Sequence, residues 1–143
     1  MAENAITFHF QHPTFRLRQR IAVRSWLHEA ARSEGHEIVG VHYLFCTDDY
    51  MLESNQKFLS HDFLTDILTF PVPSAKGIAG DILISVDRTR ENARLHGATP
   101  TQELHRVMAH GILHLIGYQD DTPEKKSIMR AQEDHWLTQK AQN

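Results

Sequence analysis

The amino-acid sequence predicts an α+β fold, in which one small mixed β-sheet of about four strands is packed by about five helices in a single domain. Three observations support this prediction. The chain has 143 residues, the length of one globular domain. No repeat, low-complexity segment or linker rich in Gly, Ser or Pro divides it. Short apolar runs of strand length alternate with segments of helical periodicity, and the chain ends in three helical segments.

The first half of the chain is predicted to contain two strands, each followed by a helix. Residues 5–10 alternate apolar and polar side chains, as a half-buried strand does. Apolar residues near helical spacing predict a helix over residues 15–33. Residues 37–46 form an apolar run of strand length, and Thr47 is a good N-cap for a helix over residues 48–58.

The second half is predicted to contain two strands and then three helices. Residues 66–70 form a short strand that ends at Pro71, and residues 80–86 alternate as another strand. The three helices follow over residues 87–96, 100–116 and 123–140. Gly97 and Gly117 are typical helix-ending residues, and a proline at position 123 is typical of a first helical turn.

The composition excludes several classes of protein. A hydrophobic fraction of 41% with a net charge of −3 argues against intrinsic disorder. The single cysteine, Cys46, excludes an internal disulfide and is typical of a reducing compartment. The N-terminal residues lack the pattern of a secretory signal, and no apolar run reaches the roughly 18–20 residues that a membrane helix needs. We therefore expect a cytoplasmic protein outside the membrane, and nothing in the sequence indicates an obligate assembly, so a monomer is expected.

The chain contains eleven histidines, and two of them form a candidate metal site. His110 and His114 are four residues apart on a predicted helix, so both imidazoles lie on one face and can reach one ion at about 2.0–2.1 Å. Gly117 ends the helix, and Asp120 follows three residues later as a candidate third ligand, with Asp121 as the alternative. The competing interpretation is that both histidines are ordinary core residues and both acids begin a turn.

The pattern HxxxHxxGxxD resembles the metzincin arrangement HExxHxxGxxH, with two differences. Gly111 stands where a zinc peptidase has the glutamate that acts as general base. The third position is a carboxylate, whose charge makes a bound zinc ion a weaker Lewis acid. A metallopeptidase-like hydrolase and a non-catalytic protein in which the metal only stabilises the turn stay open as alternatives. An iron oxygenase with two histidines and one carboxylate is disfavoured, because its ligands usually lie on strands.

Three segments in order resemble the YbeY family of endoribonucleases, the bacterial rRNA maturation factors. The segment HGILHLIGY, which begins at His110, resembles the metal-binding signature of that family. TDILTF at residues 65–70, preceded by Asp62, resembles its T-D-[VI]-L-S-F block, and GDI at 80–82 resembles its G-D-I block. Three further residues occur where the family pattern has them: Glu103, Met129 and Glu133.

This resemblance implies a zinc-dependent endoribonuclease that is specific for single strands and holds one zinc ion per chain. It also implies action on ribosomal RNA, in particular at the 3′ end of 16S rRNA, a role in ribosome quality control and a possible association with the small ribosomal subunit. The three histidine ligands of the family fall on His110, His114 and Asp120, so this chain has a carboxylate in place of the third imidazole. The same three residues are the expected catalytic residues.

A further departure concerns the positive charge that meets the substrate phosphate. The family usually has an arginine at the position of Leu59, which cannot carry charge. Lys57, Arg88 and Arg90 are the candidate substrate-binding residues that could replace it. A separate basic cluster lies near the N-terminus, and it is either a solvated face or a contact with an anionic partner: Arg16, Arg18, Arg20 and Arg24. The net charge of −3 argues against strong non-specific binding of duplexes but is compatible with a local basic groove for single-stranded RNA.

Overall fold

A mixed four-stranded sheet and five helices make up the fold in the computed structural model, which describes residues 5–59 and 64–142 and the side chains up to residue 140. The strands are β1 (Ile6–Phe10), β2 (Ile38–Cys46), β3 (Ile67–Pro71) and β4 (Ile78–Ser85). The helices are α1 (Arg20–Ser33), α2 (Asp48–Leu59), α3 (Val86–His96), α4 (Pro100–Ile116) and α5 (Pro123–Gln142). Their number and order confirm the predicted α+β class. Asp62, which belongs to one of the family-like segments, lies outside the described residues.

The sheet has the strand order β1-β2-β4-β3. β1 and β4 both run parallel to β2, whereas β3 runs antiparallel to β4. The antiparallel register places Ile67 opposite Ile84, and the Ser85 N–H donates a hydrogen bond of 2.9 Å to the Asp66 carbonyl oxygen. Asp66, at the start of β3, therefore lies beside the end of β4, where α3 begins.

One face of the sheet buries the main core beneath α1, α4 and α5. Six strand side chains on this face are fully buried: Ile6, Val41, Tyr43, Phe45, Ile82 and Ile84. The Tyr43 hydroxyl donates a hydrogen bond of 2.8 Å to the carbonyl oxygen of Met108 on α4. The Trp26 indole on α1 donates one of 2.7 Å to the carbonyl oxygen of Trp136 on α5. Apolar burial and the Tyr43 bond fix α4 against the sheet, and the Trp26 bond joins α1 to α5.

The opposite face of the sheet carries a smaller apolar cluster, contributed in part by α2. Its fully or nearly fully buried members are Cys46, Met51 and Leu68. The Tyr50 N–H donates to the Thr47 hydroxyl at 3.2 Å, which confirms Thr47 as the cap of α2. Burial raises the pKa of the Cys46 thiol to about 12, so the thiol stays protonated at neutral pH.

The first helix begins later than the sequence predicts. The predicted helix covered residues 15–33, but α1 begins at Arg20, after Gln19 in a left-handed conformation (φ 55°, ψ 45°). Before it, the backbone N–H of Phe15 donates to the His12 imidazole at 3.0 Å, and Leu17 is buried. The apolar residues at 15 and 17 therefore pack against the core from a loop. Their spacing alone does not distinguish such a loop from an additional helical turn.

Candidate metal centre

The helix α4 presents both predicted histidine ligands. It begins with a capping box, in which the Thr99 hydroxyl accepts from the Gln102 N–H at 3.1 Å and the Gln102 side chain accepts from the Thr99 N–H at 3.0 Å. It ends at Gly117, whose φ of 131° lies in a region that glycine tolerates best. The backbone N–H of Tyr118 then bonds to the Leu113 carbonyl oxygen at 3.0 Å. The chain therefore turns back over the last turn of α4.

This turn brings His110, His114 and Asp120 together. The Asp120 Oδ2 atom lies 3.3 Å from the His110 Nε2 atom and 3.4 Å from the His114 Nε2 atom. One ligand atom from each of the three residues lies within 4.8 Å of the other two. Ligands bound tetrahedrally to zinc at about 2.0–2.1 Å lie about 3.3–3.4 Å apart, so this donor set fits a zinc ion. Asp121 is oriented differently, because its carboxylate pairs with Lys125 at 3.3 Å.

The far side of each imidazole is bonded to an acceptor. The His110 Nδ1 atom lies 2.5 Å from the Glu133 Oε2 atom, and the His114 Nδ1 atom lies 3.0 Å from the Tyr118 carbonyl oxygen. Carboxylates and carbonyls only accept, so both Nδ1 atoms must carry the proton. The lone pair of each ring then lies on Nε2, the atom that faces Asp120, as a metal ligand requires.

Glu133 on α5 is the main supporting residue of this site. Its side chain is 7% exposed and also accepts a hydrogen bond of 2.9 Å from Arg106, which bonds Asp134 at 2.6 Å through its other terminal nitrogen. Burial lowers the pKa of His110, but the hydrogen bond to Glu133 and the charges of Glu133, Asp120 and Asp66 outweigh it, so the pKa is raised overall. Negative charge around His110 therefore favours a bound cation.

The donor set opens into a cleft of about 530 Å³. Asp66 lines it and accepts a hydrogen bond of 3.3 Å from the Asn92 side chain. Burial raises the pKa of Asp66, and the charge of His110 opposes that shift only in part. Three cationic side chains also line the cleft: Arg106, Lys126 and Arg130. Lys126 and Arg130 are exposed and form no ion pair with any residue in the described part of the chain.

The three substrate-binding residues proposed from the sequence lie outside this cleft. Lys57 on α2 lies 5.4 Å from the ring of Phe58, and the Arg88 Nε atom bonds both carboxylate oxygens of Asp48 at 3.3 and 3.2 Å. Arg90 lines a separate groove. Arg90 lies on the opposite face of α3 from Asn92, which lines the cleft, whereas Arg88 shares the face of Asn92 but is held at the start of the helix by its ion pair with Asp48.

Sequence reasoning did not identify the cleft cations on α4 and α5. A usable signal exists on α5, where Lys126, Met129, Arg130 and Glu133 recur at helical spacing and line one wall of the cleft. Arg106 has a weaker signal, four residues before His110 on the same helix. Neither pattern shows by itself that the two helices face each other across a metal site.

Close packing explains why glycine follows the first histidine. A Cβ atom at Gly111 would lie 2.9 Å from the Cδ1 atom of Ile82 and 3.2 Å from the Cδ1 atom of Ile67. Ile82 is fully buried, so these atoms have little freedom to move. A glutamate general base does not fit here, which argues against the metallopeptidase alternative.

Comparisons with known proteins agree on one family. The family model described as endoribonuclease YbeY matches residues 6–141. An endoribonuclease YbeY of Cytophaga hutchinsonii is 48% identical over 96% of this chain and 97% of its own length. An endoribonuclease YbeY of Porphyromonas gingivalis is 45% identical over 85% of this chain and 80% of its own length. A solution structure of a Thermotoga maritima protein superposes with a TM-score of 0.63 at 27% identity, covering 94% of this chain and 88% of that one.

Proposed function

The chain belongs to the YbeY family of endoribonucleases, and from this membership we propose that it is a zinc-dependent enzyme that cleaves single-stranded RNA. One observation supports the metal dependence: the Asp120 Oδ2 atom lies 3.3 and 3.4 Å from the two histidine Nε2 atoms, as neighbouring tetrahedral zinc ligands do, and the Nδ1 atoms of both imidazoles are bonded to acceptors. We take residues 1–143 as one metal-dependent endoribonuclease domain with a single zinc ion.

The biological setting is also part of the proposal. The resemblance of the segment from Asn55 to Glu133 to this family supports action on ribosomal RNA, at the 3′ end of 16S rRNA, and in ribosome quality control. The partner is then the small ribosomal subunit, and the setting is the cytoplasm, with the chain acting as a monomer. None of the helices in the described residues combines the length and the apolar character that a bilayer crossing requires.

The metal would supply Lewis-acid chemistry. His110, His114 and Asp120 would hold the zinc ion, which would supply Lewis acidity toward a phosphoryl oxygen or a water molecule. Glu133 fixes the tautomer and ring orientation of His110. Asp120 adds a negative charge that an imidazole ligand would lack, so it tightens binding of the cation and weakens its Lewis acidity.

Two other side-chain types complete the chemistry in the cleft. Lys126 and Arg130 present unpaired positive charge where substrate phosphates would enter, so they take over the task that the resemblance gives to an arginine at the position of Leu59. Arg106 is less available, because two carboxylates already bind it. RNA carries its own nucleophile, the 2′-hydroxyl group. We assign Asp66, a carboxylate that lines the cleft, as the acceptor for the proton of this hydroxyl when it attacks the phosphate.

The test is cleavage of a labelled single-stranded RNA by protein stripped with a chelator and reloaded with zinc. We expect cleavage only after reloading, little cleavage of the same sequence in a duplex, and at least about a hundredfold loss in His114→Ala and Asp66→Asn. His135→Ala, an exposed histidine of α5 outside the cleft, is the matched control and should cleave normally. Zinc binding without cleavage would instead support the non-catalytic alternative.

A further inference from the structure

Five arginines form a second charged surface, which we call the arginine face: Arg16, Arg18, Arg20, Arg24 and Arg90. The first two precede α1, the next two lie in its first turns, and the last lies on α3. All are exposed except Arg24, which is half-buried. None of them lines the metal cleft, so this surface is separate from the site described above.

A row of phenylalanine rings supports this surface from below. The guanidinium carbons of Arg16 and Arg20 lie 5.1 and 4.9 Å from the ring centre of Phe10. Arg24 lies 4.8 Å from the ring of Phe8 and Arg90 lies 6.0 Å from the ring of Phe15; the rings of Phe10 and Phe15 are 6.1 Å apart. Four of the five guanidinium groups therefore lie over one continuous aromatic layer.

Backbone carbonyl groups orient several of these side chains. The Arg24 Nε–H donates to the Ile6 carbonyl oxygen at 3.0 Å, and the Arg20 Nε–H donates to the Leu17 carbonyl oxygen at 3.2 Å. A guanidinium carries five N–H donors, so these bonds leave most donors available to an external acceptor.

The arginine face also lacks compensating acids. Within the described residues, none of its five arginines forms an ion pair. Four of the five other arginines bond a carboxylate, in the pairs Arg32–Glu37, Arg88–Asp48, Arg94–Glu91 and Arg106–Glu133, and the fifth, Arg130, lines the metal cleft. The whole chain has a net charge of −3, so acids are plentiful elsewhere. A local group of five unpaired positive charges repels itself and is stabilised by an anionic partner.

Part of the arginine face forms a groove of about 340 Å³. Arg16 and Arg18 reach it from the loop before α1, and Arg90 reaches it from α3. The hydroxyl-bearing residues Thr14 and Thr101 line it as well, and none of its described lining residues is acidic. The groove therefore brings together guanidinium groups from two separate elements, and arginine binds phosphate through paired N–H donors.

We propose that the arginine face binds the phosphate backbone of single-stranded RNA, as a second contact surface for the substrate of the proposed nuclease. The inference rests on the proposed function for the identity of the polyanion. α3 connects the two surfaces: Arg90 lines the groove, and Asn92 and His96 line the metal cleft. Arg90 and His96 are about 9 Å apart along the helix axis but on different faces of α3, so an RNA strand that contacts both surfaces passes around this helix. The phenylalanine rings are already covered by arginines, so the contact is with phosphates and has no base preference.

The test measures binding of a fluorescently labelled single-stranded RNA of mixed sequence by anisotropy over a range of salt concentrations. His114→Ala serves as the background, so that RNA is bound without being cut. The test variant adds Arg16→Gln, Arg18→Gln and Arg90→Gln. The control adds Arg32→Gln, Arg94→Gln and Lys76→Gln, which remove the same charge from exposed positions elsewhere. Three lost phosphate contacts should lower the slope of log K against log salt by about 2 and weaken binding about tenfold or more, whereas the control changes little.

Equal slopes and affinities for the test and control variants would overturn the proposal. The single variant Arg18→Gln guards against misfolding, because the Arg18 side chain makes no hydrogen bond or ion pair with the described residues and its loss should leave the fold intact. It should reduce the slope by about 0.7. Cleavage by the unmutated, zinc-loaded chain is measured alongside. Absence of cleavage there would contradict the proposed function, whereas equal binding would contradict the arginine face, so the two failures are distinct.

Discussion

The two imidazoles of the metal centre differ in how their outer nitrogen is held. His110 bonds a carboxylate on another helix, Glu133, whereas His114 bonds a backbone carbonyl four residues further along the chain. A carboxylate partner raises the basicity of a histidine ligand more than a carbonyl does. At the scale of single residues, we therefore expect His110 to be the stronger of the two nitrogen ligands. We also expect Glu133 to set the basicity of the His110 ring.

The first prediction concerns the third ligand. The Asp120→Ala variant should lose most of its bound zinc, and its Kd for zinc should rise by more than about a hundredfold. This rise exceeds the one expected when a residue that only supports a ligand is replaced. The reason is that the Asp120 carboxylate lies 3.3 and 3.4 Å from the two Nε2 atoms. Elemental analysis and competition with a chelator measure this. Asp121→Ala is the matched control and should retain its zinc; the opposite pattern would make Asp121 the ligand.

The second prediction concerns the support of His110. Glu133→Gln keeps the size of the side chain but removes its charge, so zinc affinity should fall about tenfold or more while all three ligands remain. The same competition assay measures the change. Glu124→Gln, an exposed acid in the first turn of α5, should bind zinc as the unmutated chain does. Equal affinities for the two variants would show that Glu133 does not tune the metal.

At the scale of elements, the packing of α4 on the sheet decides which chemistry the metal helix can carry. Gly111 lies where α4 approaches β3 and β4, and its Cα faces the side chains of Ile67 and Ile82. The histidines occupy another face of the same helix and line the cleft. The glycine that lets α4 approach the sheet therefore also removes the side chain that a peptidase uses as general base.

The third prediction tests this close packing. Gly111→Ala should lower the free energy of unfolding by about 1 kcal/mol, because the cost of overpacking exceeds the gain in helix propensity. Urea unfolding measures it. Ile82→Val removes the Cδ1 atom that lies 2.9 Å from the added Cβ, so the penalty should shrink by at least about 0.5 kcal/mol in that background. A Gly111→Ala variant that is more stable than the unmutated chain would contradict the packing argument.

At the scale of the whole molecule, one buried histidine links the helices of the main core. His105 on α4 is 5% exposed, and its ring centre lies 5.6 Å from that of Trp26 on α1. Among the described residues, its Nδ1 atom has no hydrogen-bond partner. Burial, with a smaller contribution from the charge of Lys140, lowers its pKa to about 4. The folded protein therefore keeps this ring neutral.

The fourth prediction follows from that pKa. The unfolded chain binds a proton at His105 near pH 6.5 and the folded protein only near pH 4, so stability is full above pH 6.5 and falls as the pH drops toward 4. The loss from this group amounts to roughly 3 kcal/mol. His105→Phe should reduce the difference in unfolding free energy between pH 7 and pH 4.5 by roughly 2 to 3 kcal/mol, measured with urea on metal-free protein. The control His135→Phe should leave this difference unchanged. Equal pH dependence in the unmutated chain and both variants would contradict the assignment of the effect to His105.

Local patterns were sufficient for predicting the element order and for proposing the residues of the candidate metal centre. Alternation, helical spacing and the helix-ending glycines predicted all four strands and five helices, with boundaries within two residues except at α1, which begins five residues later than predicted. His110, His114 and Asp120 could be predicted as a group because they lie within eleven residues, where one helical turn and one glycine turn set their separation. The choice between Asp120 and Asp121 required coordinates, since adjacent residues differ only in orientation.

What the sequence by itself determined is thus the α+β class, the order of elements and the close approach of His110 and His114, since short-range backbone geometry governs them. The tertiary structure decided what depends on how distant segments dock: Glu133 against His110, Lys126 and Arg130 along the cleft, and Arg16 beside Arg90 in the second groove. Arg88 and Arg90 were proposed as substrate-binding residues from charge alone, but Arg88 pairs with Asp48 on another helix and Arg90 lines the second groove. Such contacts between distant segments follow from the burial of apolar faces across the whole core, which no local pattern specifies.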